Sequence, residues 1–312
     1  MAYDAADKRT SLLVWGGLAI VYVVWGSTYL AIRVVIETIP PLISGAMRFT
    51  SAAVVLSLVI LLLKGAGAFR MTAKQFGGAA LVGLLLLTAG NGLVALAEQY
   101  ISSGLAALLV ASVPLWLVIL RVVARDRPRA LTLAGVLVGF AGVAVLSLTG
   151  ASGASSGTAI TIILLASVSW SVGSFLSSRI PMPADPFAAS AVEMLVGGVG
   201  LTLVSTAASE HLDLAAISGR SWTALGYLIV MGSLVAFTAY VWLLGNAPIS
   251  LVSTYAYVNP VVAVVLGGLI LSETVTGSMV VAGLVIVVGV ALVVSTERRK
   301  APAVKQEEPA PA

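Results

Sequence analysis

The 312 residues contain no cysteine and a single histidine, His211. Without cysteine there are no disulfides, no thiol catalysis, no iron–sulfur cluster and no cysteine-based zinc site. One histidine, set in a polar connection with Ser209, Glu210 and Asp213, supplies neither an HExxH helix nor a His-rich cluster. No metal, no cofactor and no catalytic residue is therefore expected. No glycine-rich stretch ends in Gly-Lys-Ser/Thr, which argues against ATP-driven work by this chain alone. Charge is also scarce. Asp, Glu, Lys and Arg make up 10% of the chain, against about 25% in a soluble domain, too little to cover a soluble surface.

Apolar residues fill the gap, at 59% of the chain with a mean hydropathy of +1.08. Runs of about 20 apolar residues, the length that crosses a bilayer, fall near 12–33, 42–63, 76–96, 104–123, 130–149, 158–178, 186–207, 221–244, 250–271 and 277–296. This pattern predicts an all-α polytopic membrane protein with ten transmembrane helices and short connections. No room is left for a catalytic domain outside the bilayer. The breaks carry turn chemistry at Pro40-Pro41, Lys64-Gly65, Gly150 to Gly157 and Pro181 to Pro186. Glu98-Gln99 and Ser102-Ser103-Gly104 form the weakest break; fusing the runs on either side would make a helix far too long for any bilayer. The first run follows Lys8-Arg9 and lacks a small-residue cleavage pattern, so it reads as an anchor and not a signal peptide. The tail, 297–312, is rich in Pro, Ala, Lys and Glu and is expected to be disordered.

The basic residues set an orientation. With the N-terminus inside, fourteen Lys and Arg fall on the cytoplasmic side and only Arg33 and Arg220 outside, with Arg48 within a span. The positive-inside rule then puts both termini in the cytoplasm, in the inner (cytoplasmic) membrane of a cell. Used this way, the net charge of +4 implies no nucleic-acid partner. The partners are a small-molecule substrate and the lipid bilayer, with a homodimer left open.

The two halves align at an offset of about 145 residues. Trp25 matches Trp170, Pro41 and Arg48 match Pro186 and Glu193, Ala80-Leu81 matches Ala224-Leu225, Pro114 matches Pro260, and Ala134-Gly135 matches Ala282-Gly283. Each half, 12–149 and 158–296, holds five spans, an odd number, so the second enters the membrane upside down. Such a 5+5 inverted repeat is a transporter architecture with its site near the midplane.

Certain runs carry a family resemblance: Trp25-Gly26-Ser27-Thr28-Tyr29, Met47-Arg48-Phe49, Gly90-Asn91-Gly92, Glu193-Met194, and the stretch from Tyr255 through Asn259-Pro260 to Ala263. Together they resemble the drug/metabolite transporter superfamily, in particular the EamA family and its YedA-like drug/metabolite exporters. The resemblance covers about residues 12 to 296. It implies a ten-helix inner-membrane exporter of amino acids, small metabolites or toxic compounds, and no single substrate.

Polar groups in hydrocarbon are costly and mark pathways. An intramembrane charge costs about 2.5–3.5 kcal/mol on insertion scales, so Arg48 and Glu193 should face protein or a wet cavity, paired or separate, as coupling or structural charges. Asn91, between two glycines, offers donors and an acceptor. Pro260 frees a carbonyl one turn back, within reach of Asn259, and Pro114 repeats the device. Among the aromatics, Trp25, Tyr29, Trp170, Tyr255, Tyr257 and Trp242 are candidates to stack on flat or cationic substrates. The substrate pathway is thus expected along Trp25, Ser27, Tyr29, Asn91, Trp170, Tyr255, Tyr257 and Asn259. Gly135, Gly139, Gly142, Gly197, Gly198, Gly267, Gly268 and Gly283 read as helix contacts. Glu98 and Glu273 fall near span ends. A membrane-embedded enzyme and a channel-like facilitator are the alternatives: the first needs clustered acids or a span His beside a Ser, the second lacks strict coupling.

Overall fold

Proline opens two equivalent helices. Its fixed φ and missing N–H suit the first turn, and Pro41 and Pro186 start the helices Pro41–Lys64 and Pro186–Ala207 in the computed structural model, which describes residues 12–126, 128–149 and 154–298. The loop expected over Gly150–Gly157 lies partly outside these residues, the tail beyond Arg298 wholly so, and the Tyr257 side chain is not among those described.

Eight helices are long and apolar enough to cross a membrane: α1 (Leu12–Val35), α2 (Pro41–Lys64), α3 (Ala73–Ala97), α4 (Ser103–Val123), α5 (Ala130–Leu148), α6 (Gly157–Ser177), α7 (Pro186–Ala207) and α8 (Gly219–Asn246). Two more follow, α9 (Tyr255–Leu271) and α10 (Gly277–Arg298), whose apolar helical stretches, Val258–Leu271 and Gly277–Val293, are shorter. No strand occurs among the described residues. Eight of the spans expected from sequence agree with the eight membrane-length helices to within a few residues; the last two fall on α9 and α10. The weak break at Glu98–Ser102 is a true one, because the Ser102 hydroxyl caps α4 by accepting from the Leu105 amide at 3.2 Å.

Other ends are capped by chemistry visible in the sequence. Thr72 and Gln75 form a capping box at α3. Ser218 accepts from the Ser221 amide at 3.0 Å to start α8. Asp185 accepts from the Phe187 and Ala188 amides at 2.8 and 3.3 Å and also pairs with Lys64. Burial alone would raise the Asp185 carboxyl; the Lys64 ammonium and the two amides outweigh it and hold the group below the usual carboxylate range.

Helices at matched positions in the two halves pack against each other, α2 along α7 and α5 along α10. The second pair touches backbone to backbone: a Cβ on Gly289 would stand 2.3 Å from the Gly139 nitrogen. With lipid as solvent on the outside, such close approach does the work that water exclusion does in soluble cores.

Several spans are irregular near their middles. α1 is π-helical over Val21–Trp25, α3 over Leu84–Asn91 and α8 over Leu228–Phe237. The π-stretches of α3 and α8 begin 144 residues apart, the same offset that relates Ala80-Leu81 to Ala224-Leu225. α4 breaks at Ala111-Ser112, two residues before Pro114. On the other side a one-turn helix, Ile249–Val252, is followed by a turn at Ser253-Thr254 before α9, and Pro260 lies inside that helix. The two prolines therefore act differently: Pro114 starts a helical segment, whereas Pro260 sits within one.

Candidate functional site

The irregular segments converge on a narrow cavity of about 60 Å³. Its walls come from α1 (Trp25, Thr28, Tyr29, Ile32), α2 (Arg48, Phe49), α3 (Gly90, Asn91, Val94), α4 (Val110), α6 (Ala166, Ser167, Trp170), α8 (Phe237) and α9 (Tyr255, Asn259). Both halves of the chain contribute. A π-turn misaligns backbone hydrogen bonds and often marks a functional site, and here it leaves a carbonyl to be used: the Trp25 indole N–H donates to the Gly232 carbonyl, inside the π-stretch of α8, at 3.2 Å.

Aromatic side chains form one edge of the cavity. Trp25 and Trp170 meet edge to face at 5.4 Å, and Tyr240 lies 4.8 Å from Trp25 and 5.8 Å from Tyr255. Trp25 and Tyr255 are again perpendicular at 5.4 Å. Such pairs add about 0.5–1.5 kcal/mol each beyond their burial. The polar tips are used as well: the Tyr240 hydroxyl hydrogen-bonds the Ser174 hydroxyl at 2.7 Å and accepts from the Trp170 indole at 3.3 Å.

Arg48 is the one charged residue on the wall, only 5% exposed. Its Nε donates to Ser233 Oγ at 2.8 Å and its Nη1 to Asn91 Oδ1 at 3.4 Å, and its guanidinium carbon stands 4.6 Å from the Phe49 ring centre. Both hydrogen-bonding partners are neutral. Among the described residues Arg48 makes no ion pair, so it does not pair with Glu193 in this conformation. Glu193 is 1% exposed, is not on the cavity wall, and has an Oε2 with no hydrogen-bond partner. Gly83 of α3 presses on its backbone; a Cβ there would lie 2.5 Å from the Glu193 carbonyl oxygen.

Asn259 ties α9 to the π-turn of α1. With its amide oriented to satisfy its neighbours, its nitrogen donates to the Tyr22 carbonyl at 3.0 Å and the Tyr255 carbonyl at 3.2 Å. The Tyr22 hydroxyl in turn bonds Thr254 Oγ1.

Of the pathway residues expected from sequence, Trp25, Tyr29, Asn91, Trp170, Tyr255 and Asn259 come together on this wall. Ser27 does not. It points to α8, where its hydroxyl bonds Tyr227 at 2.6 Å and donates to the Val24 carbonyl at 2.7 Å. Trp242 lines a separate apolar groove with Leu12, Leu13 and Phe187. Sequence reasoning missed Tyr240, Ser233, Phe237 and Thr28. Glu98 lies at a span end as expected, and there it is 0% exposed with neither carboxylate oxygen hydrogen-bonded.

The family model of the EamA-like transporter family matches residues 13–148 and again 157–295. This chain belongs to the EamA-like transporter family. Over 270 residues it is 41% identical to the inner membrane transporter YedA of Escherichia coli strain K12, covering 86% of each chain. The transporter YvbV of Bacillus subtilis strain 168 is 27% identical over 315 residues, 95% of each chain. A protein of known crystal structure is similar with a TM-score of 0.67 at 20% identity, over 93% of this chain and 99% of that one; that likeness concerns the fold. The relatives are named as transporters and not as enzymes, which agrees with the membrane transport expected from the sequence.

Proposed function

We propose that this EamA-like transporter is a secondary active transporter that exports small metabolites, amino acids or toxic compounds across the cytoplasmic membrane by alternating access. In this reading 12–149 and 158–296 are oppositely inserted five-helix repeats, α9 and α10 complete ten spans, and both termini face the cytoplasm, as the Lys and Arg distribution favours. The observation that carries it is the cavity between the halves, walled by broken and π-helical segments from both. Irregular backbone at membrane depth persists where it lines such a cavity. The matched offset of the α3 and α8 π-stretches supports the repeat.

The wall also favours one kind of cargo. Trp25, Tyr29, Trp170, Phe237 and Tyr255 offer flat apolar surface, and Arg48 offers a buried cation whose hydrogen-bonding partners are neutral. A buried charge without a counter-ion is costly, so a substrate bringing a carboxylate or other acidic group is favoured over a cationic one. Arg48 then anchors the substrate, and Glu193, off the wall, is a structural charge between α7 and α3. The test is counterflow in liposomes holding the purified chain, with a panel of flat carboxylates, neutral analogues and cations. Trans-stimulated exchange of labelled acidic substrates is expected. Flux without trans-stimulation would favour a channel-like facilitator, and chemical conversion of a substrate would favour an enzyme.

A further inference from the structure

Glu98 is a second buried carboxylate, away from the cavity wall. It follows the last residue of α3, is 0% exposed, and has two oxygens with no hydrogen-bond donor. The nearby cation, Arg33 of α1, donates through Nη1 to the Glu98 backbone carbonyl and makes no hydrogen bond to its carboxylate. The charges that act on the Glu98 carboxylate are those of Glu273 and Arg33, and Tyr29 of α1 lies within its field. Glu273 belongs to the other half of the chain, in the link between α9 and α10. It is fixed there by accepting from the Ser103 amide at 2.9 Å, the Ser103 hydroxyl at 2.9 Å and the Gly104 amide at 3.2 Å, across the start of α4. Burial without a donor, and then the charge of Glu273, favour a proton on Glu98, against the opposing charge of Arg33.

We infer that Glu98 is a proton-binding site formed where the two halves close at the Ser103 end of the bundle. Closure brings the α3–α4 link and the α9–α10 link together, and one proton taken from water on that side converts Glu98 from carboxylate to carboxylic acid. Opening wets Glu98, separates it from Glu273, and returns the proton to the same water. Tyr29 shares a packed cluster with Ala97 and Ile101 and also lines the cavity, which links this end to the substrate site. The inference rests on alternating access as proposed above and adds the proton to it.

The test uses thiol labelling of the reconstituted full chain, which has no native cysteine. Ile101→Cys reports opening because Ile101 is 6% exposed, and Tyr100→Cys, at a site 56% exposed, corrects for the reagent's own pH dependence. The ratio of the two rates should rise several-fold as pH is raised through the titration. Glu98→Gln, a permanent mimic of the protonated form, should hold the ratio low and flat. Glu273→Gln removes the neighbouring charge, so Glu98 ionises more easily and the rise should move to lower pH by about one unit. An unchanged pH profile in Glu98→Gln, or no profile in the parent, overturns the inference, as does a Glu273→Gln profile that stays in place. Labelling needs no substrate, so these outcomes stand apart from the counterflow result that tests transport itself.

Discussion

Trp25 and Trp170 are 145 residues apart in sequence and touch edge to face, ring centres 5.4 Å apart and planes 85° apart. They are also the best-matched aromatic pair in the internal repeat. Equivalent residues of two related units meet only near the axis that relates the units, so their contact marks the centre of the molecule. Residues of the π-stretches of α1, α3 and α8, and residues beside the breaks in α4 and before α9, line the cavity next to it, while α2 and α6 run through as regular helices. Packed cores rearrange between discrete states and do not deform continuously, and irregular segments are where such rearrangement meets least resistance.

Arg48 supplies the first prediction. Arg48→Gln keeps a polar side chain but removes the cation, so acidic substrates should lose about 2–5 kcal/mol of binding, an estimate carried over from buried charge pairs. The apparent KM for an acidic substrate in counterflow should rise at least 30-fold, while a neutral analogue of the same shape changes little. Equal loss for both would show that Arg48 acts through its bonds to Ser233 and Asn91 and not on the cargo.

How much of this was legible beforehand follows from the residues themselves. Trp25, Tyr29, Asn91, Trp170, Tyr255 and Asn259 stood out because each is a polar or aromatic interruption of apolar text. Tyr240 was hidden by its neighbour Trp242. Two residues along a helix is about 200° of rotation, so the two rings face opposite ways, and a helix apolar all round gives no periodicity to choose between them. The π-stretches were illegible because Leu84–Leu87 and Leu228–Val230 have ordinary helical composition. Glu98 read only as an acid near a span end; the groups that act on it, Arg33 and Glu273, come from 65 residues before and 175 residues after. The caps at Thr72, Ser102 and Asp185 are local, each accepting from an amide two or three residues on.

Glu193 gives a second prediction, which separates the two buried carboxylates. Its Oε2 is unpartnered and it is off the cavity wall, so Glu193→Gln should leave turnover per molecule intact, both in counterflow and in accumulation driven by a pH gradient, with at most a lower yield of protein. Loss of gradient-driven accumulation with exchange retained would move proton coupling onto α7.

The Lys64 and Asp185 pair carries a pH dependence with a defined sign. The Asp185 carboxyl is held below its ordinary value, so its stabilisation is present above the unfolded carboxyl pKa of about 3.9 and fades as pH falls through the folded value. Asp185→Asn keeps the helix cap and removes the charge. The loss should be that of an exposed ion pair, about 0–1 kcal/mol, seen in thermal unfolding at pH 7 and absent in acid. A penalty that persists undiminished in acid would assign the effect to the cap.

The last prediction concerns orientation. His211 lies in the exposed link between α7 and α8, and Lys74 is exposed at the start of α3. Arg33 bonds at the Glu98 end of α3, and Thr38 donates to Ser221 Oγ at 2.8 Å, so the α7–α8 link shares an end with the α1–α2 turn. The start of α3 is at the opposite end. Fourteen basic residues against two favour the proposed orientation, with the Lys74 end inside. A membrane-impermeant thiol reagent added to intact cells should therefore modify His211→Cys and spare Lys74→Cys until the cells are broken. The reverse pattern would invert the molecule, and with it the side from which Glu98 takes its proton.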